Sequence, residues 1–286
     1  MIGVLMPVLL RFLRCLVAGV SLCALRVPAN AVFPDQPAKD FSSVGMIGRK
    51  VGGDFKMAGC GVAISPSWVI GVSHVGGDTF VQDGREYRIE KKVAFKADQG
   101  EPADLALFKL AKPVQSCSNV LLADFDGPVG KRLKGETVFL VGYGKTAWLR
   151  QDGLGWQPVE GTQGTKRVAR NSIDLAELNR YDLGKGGVSK WRSSYCLAYD
   201  IDNPSNLSQS VLGGGAVDGE GGVADKDSGG GWFVNRGGKM QLVAISCTVG
   251  RVRATMPTAY CYGGVGFGVH LAPYAVWIRS VTGLKI

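Results

Sequence analysis

An all-β fold, sandwich or closed barrel, is what this 286-residue sequence predicts. Three observations carry that expectation. From Val32 onward, short apolar runs of β-branched and aromatic residues are broken by Gly, Asp, Asn and Pro, the pattern of many short antiparallel strands. Glycine is frequent, at 42 residues, enough to turn the chain between all of them. Long helical periodicities are scarce, which disfavours an alternating α/β architecture. With 45% hydrophobic residues the chain can bury a sizeable core, and one domain of one or two lobes is expected.

Taken in order, residues 1–31 carry Arg11, Arg14 and Arg26 but no acid, run apolar from Cys15 to Leu25, and end in Ala29-Asn30-Ala31. That is the pattern of a secretory signal peptide, too short in its apolar core to span a membrane comfortably. It predicts a secreted or periplasmic protein with no stable membrane association once the leader is cut. Strands are expected at Gly61–Ile70, Leu105–Leu110, Thr137–Val141, Gly231–Val234 and Leu242–Cys247. Trp148–Trp191 is polar and poorly periodic apart from Ser172–Arg180, and reads as long surface loops. Gly213–Gly222, with Asp218 and Glu220, has the composition of a linker or of one degenerate calcium repeat. Near the end, Tyr274, Trp277, Ile278 and Val281 share a face at helical spacing, which predicts a short helix over about 272–282.

Charge and cysteine usage exclude some functions. Of 33 basic and 24 acidic residues, three arginines leave with the leader, so the remainder carries +6, spread without a Lys/Arg block. That is a solvated surface, and no nucleic-acid partner is expected. Of seven cysteines, Cys60, Cys117, Cys196, Cys247 and Cys261 follow residue 31, an odd number without a CxxC spacing. Neither a zinc site nor any other metal or cofactor is expected.

Three segments bear chemistry. The run from Gly59 to His74 contains Gly-Cys-Gly, a Ser65-Pro66-Ser67 turn and Trp68-Val69-Ile70 before Ser73-His74. Thirty residues later comes Ala103-Asp104-Leu105-Ala106-Leu107, and later still Asp227-Ser228-Gly229-Gly230. The three motifs, in the order His, Asp, Ser, resemble those of the chymotrypsin-like serine proteases. Leu140–Gly144, Ala244–Ser246 and Gly266–Ile278 are similar to further segments of that family. The resemblance implies two six-stranded antiparallel Greek-key barrels, over about 32–130 and 131–271, with a C-terminal helix. It implies a monomeric serine endopeptidase acting on protein or peptide substrates. His74 would be the base, Asp104 its orienting carboxylate and Ser228 the nucleophile. The N–H groups of Lys226 and Ser228 would form the oxyanion hole. Ser246 would help hold Asp104, and Gly222, Val223, Ser246, Thr248 and Gly266 would form the substrate pocket. His270, in the last strand, reads as structural.

The departures matter as much. Lys226 stands where the family has glycine, at a turn that favours a residue without a β-carbon. Losing one oxyanion donor costs about 2.7–4 kcal/mol of transition-state stabilisation. Gly59 and Val75 replace both halves of a family disulfide together, and Ala224 and Gly231 replace a half-cystine and a proline. Cys247 and Cys261 either bridge, at about 3 kcal/mol in the chain-entropy model, or stand as buried thiols. Gly222 at the pocket floor argues against Arg/Lys specificity. Cleavage after Ala31 would free Val32 to pair with Asp227 without a propeptide. The alternative reading is a pseudoprotease that binds a partner through the cleft without hydrolysis.

Overall fold

The computed structural model describes residues 36–37, 41–114, 121–122, 133–183, 189–251 and 258–285. The leader-like stretch, Val32 and Cys117 lie outside them. The first two-residue strand is β1 (Gln36–Pro37), followed by six that close on themselves: β2 (Val44–Val51), β3 (Asp54–Ser65), β4 (Trp68–Gly71), β5 (Thr79–Gln82), β6 (Arg85–Ala94) and β7 (Ala106–Leu110). Every neighbour in the ring β2-β3-β4-β7-β6-β5 pairs antiparallel, and β5 returns to β2 through Met46↔Val81. Closure leaves the barrel no free edge. Val44, Ile47, Val62, Val69, Ile70, Phe80, Leu107 and Phe108 fill it, all fully buried.

The remaining strands are β8 (Leu121–Leu122), β9 (Thr137–Gly142), β10 (Ala147–Leu149), β11 (Trp156–Pro158), β12 (Arg167–Ser172), β13 (Leu175–Asp182), β14 (Trp191–Asp200), β15 (Gly231–Arg236), β16 (Lys239–Gly250) and β17 (Val265–His270). They form one large sheet in the order β1-β12-β9-β15-β16-β17-β14-β13, with β8 beside β16 and β10-β11 a separate ribbon. Period-two alternation sends Val138, Leu140, Trp232 and Val234 into one core and Val141, Phe233, Leu242 and Ile245 into another shared with the barrel. A single-turn 3₁₀ segment, Ala272–Tyr274, leads into α1 (Ala275–Thr282), whose Ile278 is fully buried against the shared core.

The expectation of two six-stranded barrels is corrected. Only the first is closed; the second sheet is open. β13 ends the sheet on one side and β12, flanked there only by the two-residue β1, lies at the other; the two follow one another in the chain, separated by Ile173 and Asp174, and pair with β14 and β9 respectively. No ladder joins those two edges among the described residues. The double-barrel scaffold, and with it the assignment to the chymotrypsin-like proteases, is not recovered. The short C-terminal helix is present.

Trp148–Trp191 is not loop: it contributes β11, β12, β13 and parts of β10 and β14. Its inward positions include Arg167, Asn171 and Asp174, so the strands carry no clean apolar alternation. Asn171 repays its burial by donating to the carbonyls of Asp200 (3.0 Å) and Gly221 (2.8 Å).

Candidate binding cleft

The three motif segments converge on one open cleft of about 830 Å³. His74 arrives just past β4, its position set by the buried side chains of Val72 and Val75 on either side. Its side chain is 27% exposed. Asp104 precedes β7, fully buried between Ala103 and Leu105. The His74 Nδ1 lies 2.6 Å from Asp104 Oδ2, while the His74 N–H (3.0 Å) and the Ser73 hydroxyl (2.7 Å) donate to Oδ1. Burial pushes the Asp104 carboxyl upward, but these bonds outweigh it and hold the group below the usual carboxylate range. The Asp104 N–H donates to Ser194 Oγ at 3.0 Å.

Ser228 sits in the turn before β15. Its carbonyl accepts from the Cys60 N–H at 2.7 Å, and the Gly229 N–H donates to Ser246 O at 2.8 Å. At Gly229, with φ of 88°, a β-carbon would stand 2.0 Å from the Cys60 carbonyl, so only glycine fits. Asp227 is buried, accepting the N–H groups of Gly144 (2.6 Å) and Ala224 (2.9 Å). The site proposed to pair with it, Val32, is outside the described residues.

The serine-protease mechanism is corrected at this point. Among the described residues no hydrogen bond joins Ser228 Oγ to the His74 ring; the relay stops at the imidazole. Without that contact the hydroxyl has no base to take its proton. Lys226, the expected oxyanion donor beside Ser228, adopts φ of 75°, the left-handed region that costs a side-chain-bearing residue about 1–3 kcal/mol.

The expected substrate pocket also differs. Val223, Ser246 and Thr248 line the cleft, but Gly222 and Gly266 do not. Tyr199 explains the separation. Its hydroxyl accepts the Val223 N–H at 2.7 Å, and its ring lies so close to Gly266 that a β-carbon there would meet it at 2.2 Å. A fully buried aromatic ring thus fills the space between floor and wall. Ser246 does not hold Asp104: its Oγ accepts from Trp232 Nε1 at 2.8 Å. The Asp104 partner is Ser73, which a Ser-His dipeptide already offered as a signal in the sequence. Nothing in the sequence pattern singled out Tyr199, Lys190 or Arg192.

The expected Cys247–Cys261 bridge is absent. Cys60, Cys196, Cys247 and Cys261 are all free and buried. Cys247 donates to Phe267 O (3.2 Å) and Cys261 to Thr258 O (2.8 Å), so their thiols point to different carbonyls. At the lost family disulfide, a β-carbon on Gly59 would meet the Val75 side chain at 2.6 Å; valine occupies the volume the bridge would need. His270 is buried, and desolvation lowers its pKa to about 4, leaving a neutral imidazole far from use as a base near pH 7.

Among the described residues no group of three or more His, Cys, Asp or Glu is placed to hold a metal ion, and no helix is long and apolar enough to cross a membrane. No protein-family model matches the chain, and no curated protein matches it.

Proposed function

We propose that this protein is a binding module that holds an extended polypeptide in the cleft beside His74 without hydrolysing it. The observation that carries this reading is the missing contact between His74 and Ser228, in a cleft that is otherwise well formed. Two further features support it. Tyr199 fills the space between Val223 and Gly266 and so keeps Gly266 out of the cleft lining. The end of β16 offers an edge: β15 pairs with it only as far as Gly231↔Ile245, whereas β17 continues to Val265↔Gly250. Cys247, Thr248 and Val249 therefore line the cleft on a strand whose other side no described strand occupies. Such an edge accepts an added strand through main-chain hydrogen bonds.

A fluorophosphonate probe tests the reading directly, because it reacts only with a serine activated by a base. The folded chain is expected to remain unlabelled. Labelling that disappears in Ser228→Ala would overturn the proposal. The leader-like residues 1–31 support export of the chain, and the N-terminal sequence of protein recovered from the medium or periplasm tests that destination.

A further inference from the structure

Several lysines and arginines pair with carboxylates at the surface: Lys50 with Glu86, Lys145 with Glu160 and Asp225, Lys166 with Asp83, Arg180 with Glu101, Arg236 with Glu136. The cleft instead gathers cations that lack such a pair around one concave space. Lys190, Arg192 and Lys226 all line it, and among the described residues none forms an ion pair with a carboxylate. Arg192 reaches only the Ser73 hydroxyl (3.4 Å) and the Trp191 carbonyl (2.9 Å). Lys190 engages Asp182 through its backbone N–H alone.

Negative charge in the cleft is already answered. Asp225 is the single acidic residue of the lining, and it takes Lys145 at 3.1 Å and the Tyr260 hydroxyl at 2.7 Å. Asp104 lies fully buried behind His74, with Lys92 close enough to act on it electrostatically. Three cations from two separate chain segments thus face one concave space whose single lining carboxylate, Asp225, is bonded to Lys145 and Tyr260 and acts on Lys226 only through space, and low-dielectric walls strengthen the remaining positive field.

We infer that the cleft's occupant is an acidic polypeptide segment, whose Asp or Glu side chains pair with Lys190, Arg192 and Lys226 while its backbone lies along Cys247–Val249. This rests on the binding reading above and names the class of partner. A nucleic acid is the weaker fit to the same charge. The lining holds one aromatic, Tyr260, whose hydroxyl is committed to Asp225, and the neighbouring Trp191 is covered by the Arg180 guanidinium at 4.0 Å. Among the described residues, the lining offers no Phe or Trp ring on which a base could stack.

The test is fluorescence anisotropy on the full chain with three labelled probes: a blocked hexapeptide alternating glutamate and valine, its glutamine counterpart, and a single-stranded oligothymidylate. The glutamate peptide is expected to bind about tenfold more tightly than the glutamine peptide at low salt, with the preference shrinking as salt rises. Lys190→Ala and Lys226→Asn are each expected to weaken it about threefold to fivefold while melting like the parent chain. Lys50→Ala, a paired cation elsewhere, is expected to leave it unchanged. Equal binding of both peptides would overturn the acidic preference yet keep the binding reading. Failure of a folded chain to bind either peptide would overturn both, and tighter binding of the oligonucleotide would overturn the choice of a polypeptide.

Discussion

Raising the pH should destabilise this protein through a buried carboxylate cluster beneath the glycine-rich segment. Asp174, Asp200 and Asp202 are all buried, and Glu220 packs with them. The Asp200 N–H donates to Asp174 Oδ2 at 3.1 Å, Val217 N–H to Glu220 Oε2 at 2.8 Å, and Asp202 N–H to Glu220 Oε1. One oxygen each of Asp200 and Asp202 has no hydrogen-bond partner. Burial, then repulsion from Asp200 and Asp202, pushes Asp174 up to about 7 from 3.8. Burial and the same neighbours push Glu220 up to about 7 from 4.5, against the pull of its backbone donors.

Folded-state pKa values above the unfolded ones mean that the native protein holds protons the unfolded chain has released. Stability is therefore fully present below about pH 4 and is lost as pH rises through 7. At about 1.4 kcal/mol per unit, the displacements correspond to about 4 kcal/mol for Asp174 and about 3 kcal/mol for Glu220, and partial solvent screening lowers each to on the order of 2–3 kcal/mol. His270 works the other way: its lowered pKa costs stability as pH falls from about 6.5 to about 4. The clean readout is thus a difference between the parent chain and Asp174→Asn, in which His270 cancels. An asparagine keeps an acceptor for the Asp200 N–H and imitates the protonated acid. Urea denaturation at constant ionic strength should place the two chains close together at pH 4 and the variant ahead by about 2–4 kcal/mol at pH 8. A gap that does not change with pH would refute the reasoning.

Two further outcomes follow from geometry. Lys226→Gly should raise stability by about 1 kcal/mol by relieving the left-handed backbone at φ 75°, whereas Lys226→Ala should not; paired thermal melts decide it. Peptide mapping without reduction should find Cys247 and Cys261 unbridged, and a thiol reagent should react with Cys60, Cys196, Cys247 and Cys261 only after unfolding, since all four are buried.

Strands made of short apolar runs between breakers were readable from the sequence, and their pairing was not. Gly61–Ile70, Leu105–Leu110 and Gly231–Val234 coincide with β3-β4, β7 and β15 because each is a short, nearly continuous buried apolar run bounded by polar or turn residues. The C-terminal helix was readable from Tyr274 and Ile278, both buried. A buried apolar run reports that a strand lies in the core and is silent on which edge meets which. A sheet that closes and one that stays open past Ile173 and Asp174 share one hydrophobic pattern, so the second barrel was an inference from motif likeness alone. β12 escaped for a different reason: Arg167 and Asn171 point inward, and buried polar side chains erase the apolar period.

The same limit separates the parts of the site. Ser73, His74 and Asp104 make local hydrogen bonds between chain segments held by buried neighbours, and short motifs encode such geometry well. The contact from His74 to Ser228 is different in kind, since it depends on how the barrel sits against the open sheet. That relation is set by Cys60 N–H to Ser228 O, by Tyr143 N–H to the Cys60 thiol at 3.3 Å, and by the glycines around Asp227. Tyr143, Gly142 and Gly144 lie outside the three triad motifs, and no motif records the distance between its own segment and the others. A shift of about 1 Å across this seam separates a hydroxyl in line for proton transfer from one that merely lines a cleft. Three intact motifs are therefore weaker warrant for catalysis than the packing between them, and at that seam the left-handed Lys226, whose carbonyl accepts from the Cys60 thiol, favours a surface that holds a chain over one that cuts it.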